Sequence, residues 1–179
     1  MAATGATVVF VSVAVAALAG TAHACDGYTV KDMQIKPCEG HKNVVELKGL
    51  MPELTPECTF KAVGCYQTNI TIESSWTNFV VKKDGSVVNQ GEQEGCEFLD
   101  ENKDNDNTRP FLDALTLPME CPLPPGEYCG NGKEASMHKF RAAMPGFVGK
   151  YSVRVDMDFG NDNEGCFEGS FELVSPLGF

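Results

Sequence analysis

Residues 151–159 read Y-S-V-R-V-D-M-D-F, residues 160–165 read G-N-D-N-E-G, and residues 166–174 read C-F-E-G-S-F-E-L-V. In the first run Tyr151, Val153, Val155, Met157 and Phe159 alternate with Ser152, Arg154, Asp156 and Asp158. In the last run Phe167, Phe171 and Leu173 alternate with Glu168, Ser170 and Glu172. A period of two marks a strand with one dry and one wet face. The Gly/Asn/Asp cluster between the runs supplies a turn. The stretch therefore predicts an amphipathic β-hairpin, with Cys166 just past its turn.

The rest of the chain carries the same signature. Tyr28–Lys36 is a strand whose apolar positions Val30, Met33 and Ile35 slip by one residue, which predicts a bulge near Lys31 and Asp32. Val44–Leu50 is a second strand, stopped before Pro52. Within the β-rich region Cys58–Asn78, Ile70, Ile72, Ser74 and Trp76 share one parity. Phe79–Val81 leads to an Asp-Gly turn at Asp84-Gly85, with a return over Ser86–Asn89. Gly95-Cys96 opens an irregular, polar segment. Phe111, Leu112 and Leu115 have helical spacing, with Asn107 or Thr108 as cap and Pro118 as stop. Met137–Met144 reads as a further strand before the final hairpin. Short strands punctuated by turns predict an all-β, antiparallel sandwich.

Residues 7–19 are apolar and end in the small-residue motif Ala22-His23-Ala24. This reads as a signal peptide over 1–24, leaving one domain over 25–179. All 14 basic and 25 acidic residues follow residue 24, so the expected product keeps a net charge of −11. That balance argues against nucleic acid as a partner and against adsorption to anionic membranes. No second long apolar run predicts membrane insertion. Eight cysteines behind a signal peptide read as disulfides: Cys25, Cys38, Cys58, Cys65, Cys96, Cys121, Cys129 and Cys166. Asn69-Ile70-Thr71 is a glycosylation sequon, placing Asn69 on an outer face.

Motifs for catalysis and metals are weak. Asp100, Asn102, Asp104 and Asp106 have EF-hand spacing, but Asn105 stands where Gly is needed and Phe111 where Glu is needed. Ser136-Met137-His138-Lys139 fits S-x-x-K without its companion elements. His41 and His138 have no triad signature around them. The expectation is a non-enzyme with no cofactor and no metal. Inward-facing aromatic and aliphatic residues make either a filled core or the wall of a cavity, and periodicity does not separate the two.

The order of motifs adds a resemblance. Cys25-Asp26-Gly27 precedes V-K-D-M-Q-I-K-P-C at 30–38; Gly95-Cys96 follows, then C-P-L-P-P-G-E-Y at 121–128, G-K-Y-S-V-R-V at 149–155, and Cys166 opening the last strand. This arrangement, over Cys25–Val174, resembles the ML (lipid-recognition) family. The resemblance implies an immunoglobulin-like sandwich whose sheets splay apart to hold a lipid. It implies bridges Cys25–Cys166 and Cys96–Cys121, with the pairing of Cys38, Cys58, Cys65 and Cys129 open. On it rests the expectation of a secreted or lysosomal protein that transports or presents a sterol, fatty acyl chain or glycolipid, with a receptor or lipid-processing protein as partner. The expected lining is Trp76, Phe79, Phe98, Phe111, Leu115, Tyr128, Phe147, Tyr151, Val153 and Val155. The alternatives are an extracellular interaction module with a filled core, and a secreted hydrolase using His41 or His138.

Overall fold

The computed structural model describes residues 25–176, so the expected signal peptide lies outside the described residues. The strands are β1 (Thr29–Pro37), β2 (Val45–Leu54), β3 (Thr59–Thr68), β4 (Trp76–Lys83), β5 (Ser86–Glu94), β6 (Gly126–Cys129), β7 (Ala135–Ser136), β8 (Gly149–Asp158) and β9 (Glu164–Val174). Short helices are α1 (Gly95–Asn102), α2 (Arg109–Ala114) and α3 (Met144–Phe147). One sheet has the order β1-β9-β8-β4-β5; the other runs β2-β3-β6, with β7 also on β3. All the strand pairs are antiparallel. The fold is the all-β sandwich that the alternation predicts.

The terminal hairpin forms as expected, with Tyr151 opposite Phe171 and Val155 opposite Phe167. β4 continues the dry face, placing Phe79 beside Val155 and Val81 beside Val153. The register slip in β1 falls between Lys31 and Gln34, and Asp32 takes φ 53° there. The bulge returns Ile35 to the inner face. Asp84 and Gly85, with φ of 50° and 85°, make the tight turn of the β4–β5 hairpin.

Some segments depart from the sequence reading. β2 runs through Pro52 instead of stopping before it, with Pro52 buried opposite Ala62. β2 is an edge strand, where a missing N–H is tolerated. Where β2 and β3 approach, a Cβ on Gly64 would stand 2.1 Å from the Gly49 carbonyl oxygen, so the contact requires glycine. The segment after Gly95 is helical: the Glu94 carboxylate accepts from the Glu97 N–H at 2.6 Å and caps α1. Residues 138–147 form a 3-10 turn and α3, which Pro145 opens, rather than the expected strand over Met137–Met144.

All eight cysteines are paired. Cys96–Cys121 forms as the resemblance implies. Cys25–Cys166 does not: Cys25 bonds Cys58 and Cys38 bonds Cys166, with Cys65–Cys129 completing the set. Antiparallel pairing is the reason. Thr29 at the start of β1 faces Val174 at the end of β9, while Pro37 faces Phe167. The first cysteine is thus at the wrong end of β9, and Cys38 is at the right one. Of the two bridges the resemblance implies, one is present and the other is replaced by Cys25–Cys58 and Cys38–Cys166.

Non-reducing peptide mapping is expected to recover Cys38 linked to Cys166 and Cys25 linked to Cys58; a Cys25–Cys166 peptide would contradict this topology. The paired change Cys38→Ser with Cys166→Ser opens a link spanning 128 residues and should cost about 4–5 kcal/mol in denaturant unfolding.

Candidate functional site

The two ends of the sandwich are filled unequally. At the Cys25–Cys58 end, Val30, Phe60, Val81, Phe111, Met137, Val153 and Leu173 are buried in one cluster. Phe60 is 0% exposed and Met137 1%, so this end is close-packed. α2 closes it, with the Phe111 ring 5.7 Å from Phe60 and 6.0 Å from Phe140.

At the Cys38–Cys166 end the inward positions are less covered. Val155 and Phe167 lie in one cross-strand row with buried Phe79, and therefore point between the sheets. Both are only half-buried. They sit on β8 and β9, interior strands of the sheet, so a sheet edge does not account for their exposure. Across the gap, Val45 and Leu47 pair with buried Thr68 and Tyr66, share their inward face, and are also half-buried. Ile35 and Met157 complete this half-buried apolar set. These aliphatic and aromatic side chains are therefore partly open to solvent at this end of the sandwich.

Tyrosines fix the surroundings. Tyr66 stacks on Tyr128 at 5.1 Å, donates to the Thr116 carbonyl at 3.4 Å, and is buried. Burial, with the Tyr128 phenol beside it, pushes the Tyr66 hydroxyl well above the usual tyrosine range. Tyr151 stacks on Phe171 at 4.8 Å and donates to the Phe147 carbonyl at 2.7 Å. Burial and the nearby Asp84 raise its pKa as well.

The expected lining residues separate into groups. Phe79, Phe111 and Val153 belong to the packed cluster, and Leu115, Phe147, Tyr151 and Val155 pack against it. Phe98 is half-buried on α1, and Tyr128 is half-buried on Tyr66. Trp76 leaves the lining set. It is 54% exposed, and three residues along an unbroken strand from Phe79 it stands on the outer face. Of the expected residues, Phe79 and Val155 share the row at this end on interior strands, and Val155 is the half-buried one of the two. Ile35, Val45, Leu47, Met157 and Phe167 are half-buried, inward residues of this end that the expected set did not include. Their signal was parity with neighbours, which becomes readable only once the register is known.

The other motifs acquire ordinary surroundings. The start of the EF-hand-like run is helical, with Asp100 in α1 paired to Lys103 just past its end. Two three-residue groups approach metal-ligand spacing, His41/Asp156/Cys166 and Cys65/Glu127/Cys129, but their sulfurs are in disulfides. The His41 ring meets Glu164 at 3.6 Å, and the His138 ring meets Arg141 at 3.3 Å.

No protein-family model matches the chain, and no curated protein matches it. Among solved structures, it is similar to chicken MD-1 complexed with lipid IVa, at a TM-score of 0.41 and 10% identity, over 78% of this chain and 88% of that one. Likeness at that level carries no functional assignment.

Trp76 is the single tryptophan. Its emission should be that of an exposed indole and should not shift when an apolar probe binds between the sheets; a blue shift on loading would put Trp76 in the site. The raised Tyr66 pKa makes the folded state bind more protons than the unfolded chain above pH ~10. Stability should therefore be full below that pH and fall as pH rises through it. In Tyr66→Phe the fall should be shallower, measured by denaturant midpoints between pH 8 and about 11.

Proposed function

We propose that this protein binds a lipid, with an apolar tail held between the sheets at the Cys38–Cys166 end and the head group at the rim. The observation that carries this reading is the half-buried Val155 and Phe167, facing inward from interior strands. A sandwich that needs only stability gains by closing over such residues, at about 1.5–3 kcal/mol for each side chain buried. Residues left open between two sheets are instead available to an apolar guest. A long acyl chain gains about 0.8 kcal/mol per buried methylene, less the cost of ordering it. The function is binding, as carrier or presenter, with no bond made or broken by the protein.

The four disulfides fit a secreted or lysosomal site of action, since such bonds persist in oxidising compartments. Among the described residues no helix is long and apolar enough to cross a membrane. Asn69 lies just past β3 and is exposed, where an N-linked glycan would not disturb the core. The packed cluster around Phe60 favours a second reading, a filled sandwich serving as an extracellular interaction module.

Organic extraction of the purified protein followed by mass spectrometry is expected to release lipid, and the delipidated protein should take up fluorescent fatty acid or sterol. Val155→Arg puts a charge between the sheets and should weaken uptake about tenfold or more while leaving the β-sheet circular dichroism in place. Leu47→Gln, on the opposite wall, provides a second variant if Val155→Arg does not fold. No extractable lipid together with no uptake would overturn the lipid reading in favour of the filled module.

A further inference from the structure

The outer face of the five-stranded sheet carries a charge pattern that the lipid reading does not use. Its central row crosses four strands as Gln34, Ser170, Ser152 and Lys82. The row on one side is Lys36, Glu168 and Arg154; on the other it is Lys31, Glu172 and Lys150. Five of the fourteen basic residues of a chain with net charge −11 thus share this patch with two carboxylates. Arg154 and Lys36 share Glu168 at 3.5 and 3.6 Å, and Arg154 also grips Asp156 at 2.8 Å. Lys31, Lys82 and Lys150 have no ion pair among the described residues. Between the central row and the Lys36–Glu168–Arg154 row lies a trough of about 430 Å³, floored by Ser152, Ser170 and the Gly169 backbone and lined by Lys36, Lys82, Arg154 and Glu168, with Lys150 across the central row from it.

We propose that this trough binds a linear sulfated polysaccharide lying across the strands along the Ser170–Ser152–Lys82 row. Sulfate oxygens are acceptors only, and the trough presents ammonium and guanidinium N–H groups and serine hydroxyls as donors, its one carboxylate, Glu168, being held by Lys36 and Arg154. Small side chains in the central row let a chain sit low between flanking cations. The shape favours a narrow strand of charge over a plane. Towards the β8–β9 turn the same face carries Asp156, Asp158 and Glu164, with Asp162 in the turn itself. An anionic bilayer laid on the sheet would meet those carboxylates, whereas a chain crossing the strands at Ser152 passes them by. Single-stranded nucleic acid is disfavoured because no aromatic ring lines the trough for bases to stack on. This inference stands apart from the lipid reading.

The test uses the secreted, disulfide-intact chain and heparin as the probe. The protein should be retained on immobilised heparin at about 50 mM salt and released as salt screens the contacts. The double variant Lys82→Gln, Lys150→Gln should bind on the order of tenfold more weakly. The control Lys103→Gln, Lys139→Gln makes the same change in net charge elsewhere and should bind as the unmodified protein does. De-sulfated heparin should not compete. Failure of the unmodified protein to bind at low salt, or equal loss in the control, overturns the proposal. So does binding to phosphatidylserine vesicles that depends on Lys82 and Lys150, which would assign the face to a membrane.

Discussion

The antiparallel pairing of the first and last strands organises this protein. β1 lies along β9 from Thr29 opposite Val174 to Pro37 opposite Phe167. It joins the beginning of the fold to its end, and the Cys38–Cys166 bond fixes the join where the chain leaves β1. Residues 38–44 are thereby laid over the outer side of β9. Asn43 accepts from the Cys166 N–H, and the Val44 N–H donates to Glu164. Cys166 sits at an outward position of its strand yet is 0% exposed, because that loop covers it. The loop also delivers the chain to β2, so the opening of the second sheet lies beside the Phe167 end of the first.

From this arrangement follows the unequal filling of the interior. The Cys25–Cys58 end receives α2, the 3-10 turn at residues 138–143 and α3, which bring Phe111, Phe140 and Met144 into the gap. Among the described residues, the opposite end receives no helix on its Val155 and Phe167 side. Identical alternation along β8 thus supplies a buried core residue at Val153 and a half-buried residue at Val155. Close packing concentrates at one end and half-buried apolar side chains at the other.

Charge is also distributed by the fold. The net charge of −11 is spread unevenly: the register gathers Lys36, Lys82 and Arg154 around one trough while Asp158 and Glu164 collect at the turn. These residues come from separate stretches of sequence and become neighbours only across hydrogen-bonded strands. Arg154 alternates with valines in its own strand; its meeting with Glu168 and Lys36 is a property of the sheet.

The sequence by itself determined the strands of the terminal hairpin, the bulge in β1, the Asp-Gly turn and the short helix at Phe111. Each is a local rule: a period of two, a slipped parity, a positive φ, an apolar pair one turn apart. It also determined that the inner face of β8 holds Tyr151, Val153 and Val155. Tertiary structure alone decided which cysteines meet, because strand direction, not order along the chain, sets which ends come together. It placed Trp76 outside, since parity with Phe79 has meaning only along a strand whose bounds are known. It also decided which inward residues are buried core and which stay half-buried. That choice depends on what the helices bring to each end of the gap, and periodicity along one strand carries no information about what stands across from it.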